Sequence, residues 1–167
     1  MKKRRVTTGI AALLLLILAT TAFAAPAGKA TPFKGSWDSS EIPTFFPAPP
    51  PDAITMYVDL DAWGNATHLG EYTAKFEATV DVAECGCSEG DTIHFIAANG
   101  DSLYGVGSAV GVPVPGKPGF NEVTHALAIT GGTGRFIDAS GSFTVIRLVN
   151  RATGMSYGSF EGTIVLH

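Results

Sequence analysis

The chain has 167 residues, is 46% hydrophobic, and carries eleven Lys and Arg against fifteen Asp and Glu, a formal charge of −4. Four of the basic residues lie in the first five positions, so from residue 25 onward the chain stands at seven against fifteen, a formal −8. That length suits one domain, and an acidic chain with no basic stripe excludes nucleic acid and anionic membrane surfaces as partners.

Lys2–Arg5 form a basic leader, Ile10–Leu18 an apolar run, and Ala22-Phe23-Ala24 a small-x-small cleavage pattern. Residues 1–24 therefore read as a secretory signal peptide. The apolar run falls well short of the about 20 residues that span a bilayer, so no stable membrane insertion is expected after cleavage. The expected location is secreted or periplasmic. An N-terminal tail at 25–32 is followed by one β-barrel domain over 33–167.

Phe33–Trp37 reads as a short first strand. Asp38–Asp52, with Phe45-Phe46-Pro47-Ala48-Pro49-Pro50-Pro51, reads as a stiff proline-rich loop suited to cover a barrel mouth. Alternation then takes over. Met56, Val58 and Leu60 share one face of 54–61, and Tyr72, Ala74, Phe76, Ala78, Val80 and Val82 share one face of 71–82. A period of two with one wet face predicts strands, with a short one between them at Thr67–Leu69. Further strands are expected at 92–98, 102–112, 122–130, 142–150 and 157–166, bounded by turns such as Asn99-Gly100-Asp101 and Asn150–Gly154. Pro113–Phe120 is a second proline-rich excursion. Twenty glycines, ten prolines and no sustained helical period outside the leader predict an all-β chain of about eight antiparallel strands. Such strands bury their edges by closing into a barrel or stacking as a sandwich.

Cys85 and Cys87 lie two apart in ECGCSEGD. Export permits a disulfide between them, although it would close only a tight ring. With no histidine close in sequence and no second cysteine pair, the expectation is a surface turn with no metal site. Ile129–Phe136, ITGGTGRF, resembles the start of a phosphate-binding loop, but such a loop needs a helix directly behind its glycines. Ser142–Ile146 is instead β-branched and aromatic, and no lysine follows the glycines. Gly131, Gly132, Gly134 and Gly141 therefore read as a turn, with Phe136 as a plug for the barrel end. No nucleotide or other cofactor is expected.

Gly131-Gly132-Thr133-Gly134, Phe136, Ala139 and Gly141 match the G-G-T-G-x-F-x-x-A-x-G signature of the allene oxide cyclase and dirigent barrel superfamily, which this segment resembles. With NATHLG (65–70), AANGDSL (97–103) and GSFEGTI (158–164), the chain also resembles a group of exported bacterial barrel proteins. The resemblance implies an eight-stranded antiparallel barrel with an apolar interior, often oligomeric, so a homo-oligomer is an admitted state. It implies a family that steers reactive organic intermediates by confinement. No catalytic residue of that superfamily is matched outside the turn, so activity does not transfer.

His125 shares its phase with Val123, Leu127 and Ile129, and Arg147 shares its phase with Phe143, Val145 and Val149. Pointing inward, the two could bind a carboxylate or polarise a carbonyl. Alternatively, His125 is a satisfied interior histidine and Arg147 turns to solvent. Tyr72 and Phe76, on the apolar face of their strand, complete the set of candidate ligand contacts. His68 and His94 fall out of phase with their apolar neighbours and are expected outside or at a rim. No G-x-S-x-G elbow occurs. The leading expectation is an exported barrel binding a small apolar molecule. The alternatives are a cyclase-like isomerase or stereochemical guide, and a structural protein with a filled barrel.

Overall fold

In the computed structural model, which describes residues 28–46 and 54–167, eight strands follow one another along the chain. They are β1 (Ala30–Phe46), β2 (Thr55–Ala66), β3 (Gly70–Asp81), β4 (Cys87–Ile96), β5 (Ser102–Pro113), β6 (Phe120–Gly132), β7 (Ser140–Asn150) and β8 (Met155–Val165). Each pairs antiparallel with the next, and β1 pairs with β8, from Ala30 opposite Val165 to Ser40 opposite Met155. The sheet closes on itself as a barrel. The alternation explains the strands directly. On β3, Tyr72, Ala74, Phe76 and Ala78 are buried while Glu71, Thr73, Lys75 and Glu77 are exposed.

Two segments differ from the sequence-based expectation. The loop expected over 38–52 is a strand through Phe46; residues 47–52 lie outside the described residues, as does the leader over 1–24. β1 also takes in the last three residues of the expected tail, Ala30–Pro32. Past Ser40, β1 pairs with β2 alone, and a strand with one unpaired side tolerates Pro43, which has no N–H to offer. Thr67–Leu69, expected as a short strand, is the turn joining β2 to β3, with His68 at φ 65°. Its backbone is held from the side, Thr67 N–H donating to the Lys34 carbonyl at 2.9 Å.

The interior divides along the barrel axis. One half is solid. Phe33, Tyr72, Phe95, Phe143 and Phe160, from five strands, interlock with ring centroids 5.0 to 6.2 Å apart. Leu69, Leu103, Phe136 and Ile164, all fully buried, seal that end. Phe136 comes from a single helical turn, Gly134–Phe136, inside the glycine-rich connection of β6 to β7. Gly134 has φ 55° and sits against the Asp101 carboxylate, which also accepts the Arg135 N–H at 3.2 Å. Extended chain resumes at Ser140, so nothing longer than that single helical turn follows the glycines.

Candidate functional site

The other half of the barrel is hollow. A cavity of about 600 Å³ lies there, walled by residues of β1 to β7 and by the β3–β4 and β7–β8 connections. That volume is in the range of small-molecule sites. Met56, Val58, Phe76, Val80, Val123 and Val149 supply most of the apolar wall. Space is left because the inward positions of β5 here are small: Ala109 and Gly111 face the cavity where larger residues would fill it. The Val114–Gly119 excursion folds on itself, Val114 N–H donating to the Phe120 carbonyl at 3.0 Å, and is no part of the wall.

At the inner end of this cavity polar groups converge from four strands. Register explains the meeting: Val123 of β6 faces Arg147 of β7, Val149 of β7 faces Ser156 of β8, and Ser156 faces Ser39 of β1. Arg147 is 4% exposed and turned inward, not to solvent. Its Nη1 donates to Glu41 Oε2 at 2.7 Å and to Ser156 Oγ at 3.1 Å, and its Nε donates to His125 Nε2 at 3.0 Å. Ser39 Oγ lies 2.5 Å from Ser156 Oγ and accepts the Trp37 indole N–H at 3.1 Å. His125 also stands edge-on to Phe76, ring centroids 4.8 Å apart.

This arrangement fixes protonation states. An arginine N–H donates to His125 Nε2, so that nitrogen holds a lone pair and the ring proton sits on Nδ1. Burial, aided by the Arg147 charge, pushes the His125 pKa down to about 3, leaving a neutral imidazole at any ordinary pH. The Arg147–Glu41 pair is buried but internally neutral, as buried charges must be to be tolerated. Three side-chain atoms are sealed from solvent without a partner among the described residues: His125 Nδ1, Asn121 Oδ1 and Asp91 Oδ1. Asp91, fully buried on β4, accepts the Ser88 hydroxyl at 2.9 Å. Burial raises its pKa, the Ser88 hydrogen bond opposing the shift.

Of the four residues singled out from the sequence, His125, Arg147 and Phe76 meet at the cavity. Tyr72 does not. It packs between Phe95 and Phe160 in the solid half, donates its hydroxyl to the Ser36 carbonyl at 2.7 Å, and has its pKa raised by burial. His68 lies in the β2–β3 turn and His94 lies outside the barrel, its ring tilted against Tyr104 and 2.9 Å from Ser102 Oγ. Cys85, in the β3–β4 turn, and Cys87, the first residue of β4, form a disulfide, and Gly86 between them reaches the cavity wall. Sequence reasoning missed Glu41, Ser39 and Ser156. The signal for the first two was present: Phe33, Gly35, Trp37, Ser39, Glu41, Pro43 and Phe45 keep one unbroken phase.

No family model matches the chain, and no curated protein sequence matches it. Solved structures do. The pterocarpan synthase dirigent protein GePTS1 superposes with a TM-score of 0.59 at 17% identity, covering 93% of this chain and 99% of that one. The pterocarpan synthase dirigent protein PsPTS1 gives 0.58 at 17% identity, covering 86% and 99%. The fold is that of a dirigent-protein barrel. The shared feature is the eight-stranded dirigent-like scaffold; at this identity the comparison extends to the fold alone.

Proposed function

We propose that this dirigent-like barrel holds one small, largely apolar molecule in its hollow half. The observation that carries the proposal is the cavity itself: about 600 Å³, apolar along its sides, with Arg147, Glu41 and His125 gathered at one end. A protein whose barrel served only as a rigid body gains nothing from leaving that space, because filling it with side chains would add stability. We propose also that the protein acts outside the cytoplasm, in line with its signal-like leader and the Cys85–Cys87 disulfide.

Ala109→Trp places a large side chain in the cavity from a position that faces it. An environment-sensitive apolar fluorophore should saturate the wild-type protein at one site and lose at least tenfold in affinity on the variant. Equal binding by both proteins would put the ligand elsewhere.

A second reading, stereochemical guidance of a reactive intermediate by confinement, is favoured by the likeness to proteins described as pterocarpan synthases. On this reading the cavity wall holds one face of an intermediate against solvent while the polar end orients it. The assay is product chirality. A prochiral reactive intermediate released in the presence of the protein should give unequal enantiomers, and a racemic product at saturating protein removes the reading.

A further inference from the structure

The polar end of the cavity has an electrical character that the apolar wall does not reveal. Arg147 and Glu41 both line the cavity, and their side chains are 4% and 10% exposed. Arg147 spends its Nε on His125 and its Nη1 on Glu41 and Ser156. Among the described residues its Nη2 has no acceptor and Glu41 Oε1 has no donor, and neither belongs to the atoms sealed from solvent. On these two ion-paired side chains, two N–H groups and one carboxylate oxygen are therefore left with capacity to spare among the described residues. Their charges already cancel, and His125 beside them is neutral.

From this geometry we infer that the cavity selects a ligand whose head is uncharged and both donates and accepts a hydrogen bond, as an alcohol or a primary amide does. The hydroxyl oxygen of such a head accepts from Arg147 Nη2 while its hydrogen is donated to Glu41 Oε1. A carboxylate meets a different environment. It could accept from Nη2, but its charge would lie beside Glu41, and the other cation that lines the cavity among the described residues, Arg151, is solvent-exposed on the β7–β8 connection. An ester can accept and cannot donate, so it satisfies half of the pair. The carboxylate partner that an inward arginine suggests by itself is thus disfavoured by Glu41.

The inference rests on the cavity being the ligand site, and one calorimetric series separates the two claims. Decanol, decanamide, methyl decanoate and decanoate share one apolar body and differ in the head. Titrated into the full chain near neutral pH, decanol and decanamide should bind at least tenfold more tightly than decanoate, a gap of about 1.4 kcal/mol, with the ester between them. Glu41→Gln should reverse the order for decanoate, because it frees Arg147 to pair with the ligand. Circular dichroism and the melting temperature establish that the variant is folded. If it does not fold, the wild-type series alone decides. Decanoate binding as tightly as decanol to the wild-type protein overturns the inference and leaves the cavity as a ligand site. Failure of all four compounds to bind overturns both.

Discussion

At the scale of single residues, His125 shows how burial dictates chemistry. Its pKa of about 3 lies far below the 6.5 of an exposed histidine, with Arg147 and Phe76 as its close neighbours and Glu41 reaching it only through Arg147. A group whose folded-state pKa is depressed contributes stability that is complete above its unfolded pKa and is lost as pH falls. The melting temperature should therefore decline from about pH 6.5 toward pH 3, over and above the effect of the surface carboxylates. His125→Gln keeps an acceptor for Arg147 Nε and does not titrate, so its pH profile should be flatter in that window; an unchanged profile would mean that His125 is not the titrating group. Asp91 shifts the opposite way, and its carboxyl carbon, followed by NMR, should titrate above the ordinary 3.8. Gly134 carries a backbone requirement. Gly134→Ala should cost about 1–2 kcal/mol for the left-handed backbone alone, and more because the new methyl meets the Asp101 carboxylate. Denaturant unfolding measures it.

Among the elements, β1 was the hardest to see in the sequence and matters most for the site. The alternation of β3 is unmistakable because charged and apolar residues trade places without a break. β1 has the same phase, but its inward positions past Trp37 are Ser39, Glu41 and Pro43. These are polar or imino residues, which composition assigns to a loop. They face inward because the interior there is a cavity with a polar end, so a polar interior replaced the usual hydrophobic signal. His125 and Arg147 were legible by phase alone, whereas their link to Glu41 and Ser156 was not. Those partners depend on the stagger between β1, β7 and β8, which no local pattern encodes. The same stagger has a dynamic consequence. Amides of Asp38, Ser39 and Ser40, which pair with both β2 and β8, should exchange far more slowly than those of Ile42, Thr44 and Phe45, which pair with β2 alone. Equal protection along β1, by hydrogen exchange with mass spectrometry, would contradict the pairing described.

For the whole molecule, the barrel is divided into a solid half and a hollow half. The five interlocked rings and the sealed end around Phe136 provide rigidity, so the hollow half can remain underfilled. Phe95→Ala, in the solid half, should destabilise by about 3–5 kcal/mol. Ala109→Trp, facing the cavity, should cost less unfolding free energy than Phe95→Ala while it weakens binding at least tenfold. The antiparallel all-β chain was legible in the sequence from period and turn spacing, which left barrel and sandwich open; closure was what the resemblance carried by the glycine-rich connection implied. The hollow was not legible, because small residues such as Ala109 and Gly111 read equally well as close packing. The most direct measurement is a crystal of the full chain soaked with bromodecanol, the bromine located by its anomalous signal. The bromine should lie among Met56, Val58, Val80 and Val123, with the hydroxyl between Arg147 and Glu41. Bromine found only on the outer face of the barrel, or at no ordered position, would contradict the account.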